Sequence, residues 1–173
     1  QIIDQVVQES YALIPALMRK FGRMCLTINF SGSLLELLET HGYRELIDEY
    51  RILAEEGRIE LVGSAIYHPI LALLPKREVV RQIGLHDEIN TRMFGRAYAP
   101  RGFFIPEMAY SKEVADIVRE RGFEWLILDQ FHTADRAPDP AVRYIIKNNG
   151  LAALFRDRLF SKTFPPEFIV ENR

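Results

Sequence analysis

Short apolar runs separated by amphipathic stretches of about ten to twenty residues narrow the choice of fold more than any other feature of this chain. The runs at 24–30, 59–62, 102–106 and 123–128 are strand-like, and the stretches between them carry helical spacing. Strands joined through helices pair in parallel, and parallel strands, covered on both faces, read as unbroken apolar runs rather than alternating ones. An α/β barrel or open sheet follows. In such folds the chemistry gathers at the carboxyl ends of the strands, where the loops are free to vary.

The connecting stretches carry their own punctuation. Ile3, Val7, Tyr11, Ile14 and Met18 follow a helical period, with Pro15 marking a kink or the start of a second helix. Ser33 and Glu36 match a capping box ahead of Leu34, Leu35, Leu37 and Leu38, in a helix stopping near Gly42. Over 43–56, Leu46, Tyr50 and Leu53 share one face of a surface helix that Gly57 closes. Pro75 opens a helix to about Phe94; Ser111 caps another, ended by Gly122. The pair 144–147 and 151–155 flanks Asn148-Asn149-Gly150, a hairpin signal. With 48% hydrophobic residues, 9 Pro and 10 Gly, residues 1–173 are expected to form one domain.

Charge and composition exclude several classes. Lys and Arg number 22 against 24 Asp and Glu, a net charge of -2, so neither nucleic acid nor an anionic membrane is an expected partner. No apolar stretch is long enough to span a bilayer. The one cysteine, Cys25, lies in the apolar run Met24-Cys25-Leu26-Thr27-Ile28 and is expected to be a buried, reduced thiol, which suits a cytoplasmic setting. No phosphate-binding loop, paired-glycine fingerprint, two-cysteine zinc pattern or serine nucleophile elbow is present, so no cofactor and no metal is expected.

The strand-end rule selects Ser31, the segment 60–68, Glu107, Asp129 and Arg156-Asp157. Glu107 leaves an apolar strand straight after Pro106; it is either a functional carboxylate, a cap for the helix at Ser111, or a partner of Arg101. Glu60 sits within a strand, where a charge needs a polar surround or a buried ion-pair partner. His68, held extended by Pro69, could aim across a cleft or be a satisfied histidine. Asp129 and His132 suit sugar contacts, metal ligation or, for Asp129, an Asx turn. Arg156-Asp157-Arg158 reads as an ion-pair cluster or a site. Tyr67, Tyr110 and Phe131 suit either stacking on a sugar face or packing.

Together these segments resemble glycoside hydrolase family 57. Thr27-Ile28-Asn29-Phe30-Ser31-Gly32-Ser33 is similar to the family's second barrel strand and the start of its helix. Gly57-Arg58-Ile59-Glu60-Leu61-Val62-Gly63 with Tyr67-His68-Pro69 resembles the block that contributes a substrate-binding glutamate, and Gly102-Phe103-Phe104-Ile105-Pro106-Glu107 the block that carries the nucleophile. Leu126-Ile127-Leu128-Asp129-Gln130-Phe131-His132 and Leu154-Phe155-Arg156-Asp157-Arg158-Leu159-Phe160-Ser161 resemble later strand-end motifs.

The resemblance implies a parallel (β/α) barrel of the distorted seven-stranded type, incomplete over these residues. It implies a retaining glycosidase or transglycosidase acting on α-glucans or maltooligosaccharides, with Glu107 as nucleophile and Glu60, His68, Asp129, His132 and Ser31 binding substrate. Glu107 is expected at the end of a central strand, its carboxylate in a pocket beside Glu60. The family's opening His-Gln-Pro strand and its Asp-Gly-Glu acid/base block have no counterpart here and would lie outside this chain. The chain alone is therefore expected to be inactive and to self-associate through exposed barrel edges. The rival readings are a metal-dependent polysaccharide deacetylase on a related barrel and a non-catalytic, glucan-binding or vestigial barrel.

Overall fold

The computed structural model describes residues 2–130 and 137–161, so His132 and Phe131 lie outside the described residues. The chain divides into two compact units, one of residues 1–68 and 80–100, the other of 69–79 and 101–173.

The first unit opens with α1 (Ile2–Val6), a π-helical turn (Val7–Tyr11) and α2 (Leu13–Lys20). The break expected at Pro15 falls before it: the proline sits in the first turn of α2, where a missing N–H costs nothing. Then come β1 (Leu26–Ile28), α3 (Gly32–Thr40), α4 (Arg44–Glu55), β2 (Ile59–Leu61) and most of α5 (Lys76–Phe94). β1 and β2 pair in parallel, with Thr27 opposite Glu60. Phe30, Leu35, Leu38, Ile47, Tyr50, Leu53, Met93 and Phe94 form the core, with the rings of Phe30 and Tyr50 edge to face at 4.9 Å. Arg58 ties α2 to β1, its guanidinium donating to the carbonyls of Met18, Phe21 (3.0 Å) and Met24 (3.3 Å). That staple shortens the first strand. Pairing starts at Leu26, whose N–H meets the Arg58 carbonyl at 3.0 Å, and Cys25, just outside the ladder, is exposed rather than buried.

The second unit holds β3 (Gly102–Phe104), α6 (Lys112–Glu120), β4 (Trp125–Leu128), β5 (Tyr144–Ile145), β6 (Ala152–Phe155) and α7 (Arg158–Ser161). Its sheet runs β3-β4-β6-β5, parallel except for the β5–β6 hairpin. Gly150, at φ 72°, makes the turn that the Asn-Asn-Gly sequence announces. Gly102 is required for a different reason: a Cβ there would stand 2.0 Å from the Trp125 ring of the neighbouring strand. Leu126 and Leu128 are buried with Val114, Ile117 and Val118 of α6.

The α/β class and parallel pairing match the sequence reading, but the strands of the described residues form a two-stranded and a four-stranded sheet, with no closed barrel among them. Among the described residues β3 pairs with β4 in that four-stranded sheet, and Glu107 follows β3 directly.

Candidate active site

In the first unit Ser31 follows β1, Glu60 lies within β2 and His68 comes after it. Glu60 is exposed and accepts a hydrogen bond from Thr27 Oγ1 at 3.3 Å, its cross-strand neighbour. Among the described residues the buried ion pair considered for Glu60 is absent, and its face of the short ladder is open. Ser31, and not Ser33, caps α3, its Oγ accepting from Leu34 N at 3.4 Å and lying 3.2 Å from Ser33 Oγ. Tertiary contact sets that start. Ser33 N–H donates to the Ile66 carbonyl, and a Cβ on Gly32 would lie 2.2 Å from Ile66 Cγ1, so only glycine lets α3 begin against the loop after β2.

His68 departs from expectation. Its φ of 53° is left-handed, not extended, because the chain reverses in a turn that brings His68 N to 3.4 Å from the Ala65 carbonyl. The half-buried imidazole therefore leaves a tight turn and not an extended run.

In the second unit Glu107 lies in a 3₁₀ turn, Pro106–Met108, directly after β3. Both Glu107 (φ 56°) and Met108 (φ 51°) are left-handed without being glycine, which costs of the order of 1 kcal/mol or more each. The turn persists because Ile105 and Pro106 on its strand side are buried and its N–H groups are bonded, Met108 to the Ile105 carbonyl (2.8 Å) and Ala109 to that of Pro106 (3.1 Å). The effect is to turn the Glu107 carboxylate out of an apolar strand into water. Helix α6 has its own cap, Ser111 Oγ accepting from Val114 N at 3.2 Å, and Arg101 pairs with Glu124.

Asp129, at the end of β4, is only 8% exposed. It accepts from Arg156 Nη2 at 2.5 Å and has Arg158 Nε at 3.9 Å, so these two arginines pair across the strand ends with Asp129. Among the described residues no three His, Cys, Asp or Glu side chains converge on a metal-binding group. A groove of about 550 Å³ lies among the N-terminal helices, lined by Val7, Pro15, Arg19, Tyr43 and Glu49, away from the strand ends.

The sequence reading missed the polar stripe on α5. Gln82, His86 and Asn90 recur every four residues on its buried face, among Val79, Ile83, Ile89 and Met93. That spacing is the signal that could have revealed it. The Gln82 carbonyl accepts from Ile66 N (3.2 Å) and its Oε1 from Tyr67 N (3.4 Å). His86 takes Ser64 N–H on Nδ1 (3.3 Å) and gives Nε2–H to the Phe30 carbonyl (3.0 Å). Burial holds its pKa down at about 4, against the pull of Asp87 and of the Phe30 carbonyl, so the ring is neutral at pH 7.

The sequence model of glycosyl hydrolase family 57 matches residues 5–168. An α-amylase of Pyrococcus horikoshii is 31% identical over 131 residues, which are 76% of this chain and 20% of that protein. A 4-α-glucanotransferase of Thermococcus litoralis is 27% identical over 131 residues, 76% of this chain and 19% of that protein. The crystal structure of the 4-α-glucanotransferase from Thermococcus litoralis superposes with a TM-score of 0.83 at 24% identity, over 95% of this chain and 26% of that one. The chain thus spans about a fifth of the length of the relatives it matches.

Proposed function

The chain belongs to glycosyl hydrolase family 57, and we propose that the protein it forms part of is a retaining enzyme that cleaves α-glucans and passes the glycosyl group to water or to another sugar. Relatives that carry the names α-amylase and 4-α-glucanotransferase support the substrate class. The residues form part of one catalytic barrel domain. The observation that carries the reading is the exposed carboxylate of Glu107, turned out of β3 by two consecutive left-handed residues. Backbone strain of this kind is retained where a side chain must point in a set direction.

Retention of configuration needs a carboxylate to attack the anomeric carbon and a proton donor about 5–5.5 Å from it. Glu107 is the attacking group: its oxygen forms the glycosyl ester as the glycosidic oxygen leaves with the donor's proton. Glu60 and His68 hold sugar hydroxyls, Glu60 as an exposed acceptor. Ser31 contributes less, because its hydroxyl already caps α3. Asp129, held by arginines, orders the strand ends rather than attacking or donating a proton.

The test is covalent trapping in the complete protein. An activated fluoro-sugar that forms the ester faster than it hydrolyses should leave one glycosyl unit on the peptide containing Glu107, and Glu107→Gln should abolish labelling while lowering kcat about 10³-fold or more. Label on another carboxylate, or near-normal turnover by the variant, would exclude Glu107.

A further inference from the structure

The ladder between β1 and β2 ends in an unusual way. Leu26 N donates to the Arg58 carbonyl (3.0 Å) and Val62 N to the Ile28 carbonyl (3.1 Å). Continued in this register, a parallel pair would bond Phe30 N–H to the Val62 carbonyl and then Ser64 N–H to the Phe30 carbonyl. Instead the imidazole of His86 stands between them, with Ser64 N–H on Nδ1 at 3.3 Å and Nε2–H on the Phe30 carbonyl at 3.0 Å. The rung is preserved, but it is lengthened by the width of a ring.

We propose that His86 is a positioning residue that spreads and fixes the carboxyl ends of β1 and β2, thereby setting the places of Ser31 and Glu60. Ser31 directly follows Phe30, and Ser64 lies three residues beyond the end of β2, the strand that carries Glu60. This inference rests on the reading of Glu60 as a sugar-binding residue. The neutral ring, with one acceptor and one donor nitrogen, fits this job; an imidazolium offers two donors and would oppose the Ser64 N–H. Two side chains flank the ring. Asn90 Nδ2 lies 3.2 Å from Nε2 and donates to the His86 backbone carbonyl at 3.0 Å. Tyr98 Oη lies 3.3 Å from Nδ1 and donates to Asp87 at 2.8 Å. Asp87 and Tyr98 are its titratable neighbours, while β1 and β2 present backbone groups to it.

The experiment uses the complete protein and two variants. Gln can offer a carbonyl to Ser64 and an amide N–H to Phe30, whereas Leu can do neither. His86→Gln should stay within about fivefold of wild-type KM for maltooligosaccharides, and His86→Leu should raise KM at least tenfold with a smaller fall in kcat. Equal KM values for folded His86→Leu and wild type would overturn the proposal. If His86→Leu does not fold, nitrogen NMR of histidine-labelled wild-type protein still decides, with His86→Gln identifying the resonance. Protonated Nε2 and bare Nδ1 at pH 7 support the inserted rung; the opposite tautomer or an imidazolium refutes it. The tautomer measurement needs no glucan activity, so failure of this inference is distinguishable from failure of the proposed reaction.

Discussion

The two sets of strand ends hold their polar side chains by opposite means. Behind β1 and β2 the supporting groups on or near α5 are an imidazole and two amides, buried and bonded to backbone, and a buried phenol that contacts the imidazole and donates to Asp87. Behind β4 and β6 the support is charged, with Asp129 taken by Arg156 and Arg158. The neutral support leaves Glu60 a carboxylate whose one hydrogen bond among the described residues comes from Thr27. The charged support spends its carboxylate on structure. Glu107 is positioned by a third means, two consecutive left-handed residues at the end of β3.

If this contrast is right, acid should weaken the first unit through His86. The folded ring has its pKa at about 4, while an unfolded histidine titrates near 6.5. Above pH 6.5 both states are neutral and stability is complete. As pH falls from 6.5 to 4 the unfolded chain takes up a proton that the folded one refuses, and stability drops by up to roughly 3 kcal/mol before levelling off. His86→Gln should remove this component, so thermal unfolding of wild type and variant should converge as pH falls. Parallel pH curves would mean that the ring titrates normally.

The ionic side gives a smaller effect. Asp129→Asn leaves Arg156 and Arg158 facing a neutral group, but both arginines reach water, so the cost should be about 2 kcal/mol rather than the larger value for a wholly buried pair. Glu60→Gln, at an exposed position, should move stability by less than about 0.5 kcal/mol while raising KM. Urea unfolding of the two variants separates the cases. Comparable losses would show that Glu60 too is a structural charge.

Much of the fold was legible because it is written locally. The strands at 59–62 and 123–128, the helix from Pro75, the Ser111 cap and the hairpin at Gly150 rest on periodicity and turn chemistry, which neighbouring residues determine. What was missed depends on distant partners. Nothing local says that Gly32 must abut Ile66 and so move the cap from Ser33 to Ser31, or that Arg58 ends the first strand short of Cys25. The left-handed turns at His68 and Glu107 carry no glycine or asparagine to announce them. The candidate acids were visible as strand-end positions, but that Asp129 is held by arginines depends on contacts across strands.

The smallest effects compare the two serine caps. Ser111 Oγ lies 3.2 Å from Val114 N, while Ser31 Oγ lies 3.4 Å from Leu34 N and shares its hydroxyl with Ser33. A good cap contributes typically ~1 kcal/mol, and a long, shared one less. Ser111→Ala should therefore destabilise by ~1 kcal/mol and Ser31→Ala by about half that, read from chemical unfolding at pH 7. Activity should run the other way. Ser31 sits at the β1 end that His86 fixes, so Ser31→Ala should raise KM a few-fold, through a hydroxyl lost to the sugar, while Ser111→Ala leaves KM unchanged. If both variants change stability and KM in the same proportion, Ser31 is a cap and nothing more, and the substrate-binding role of the first unit narrows to Glu60 and His68.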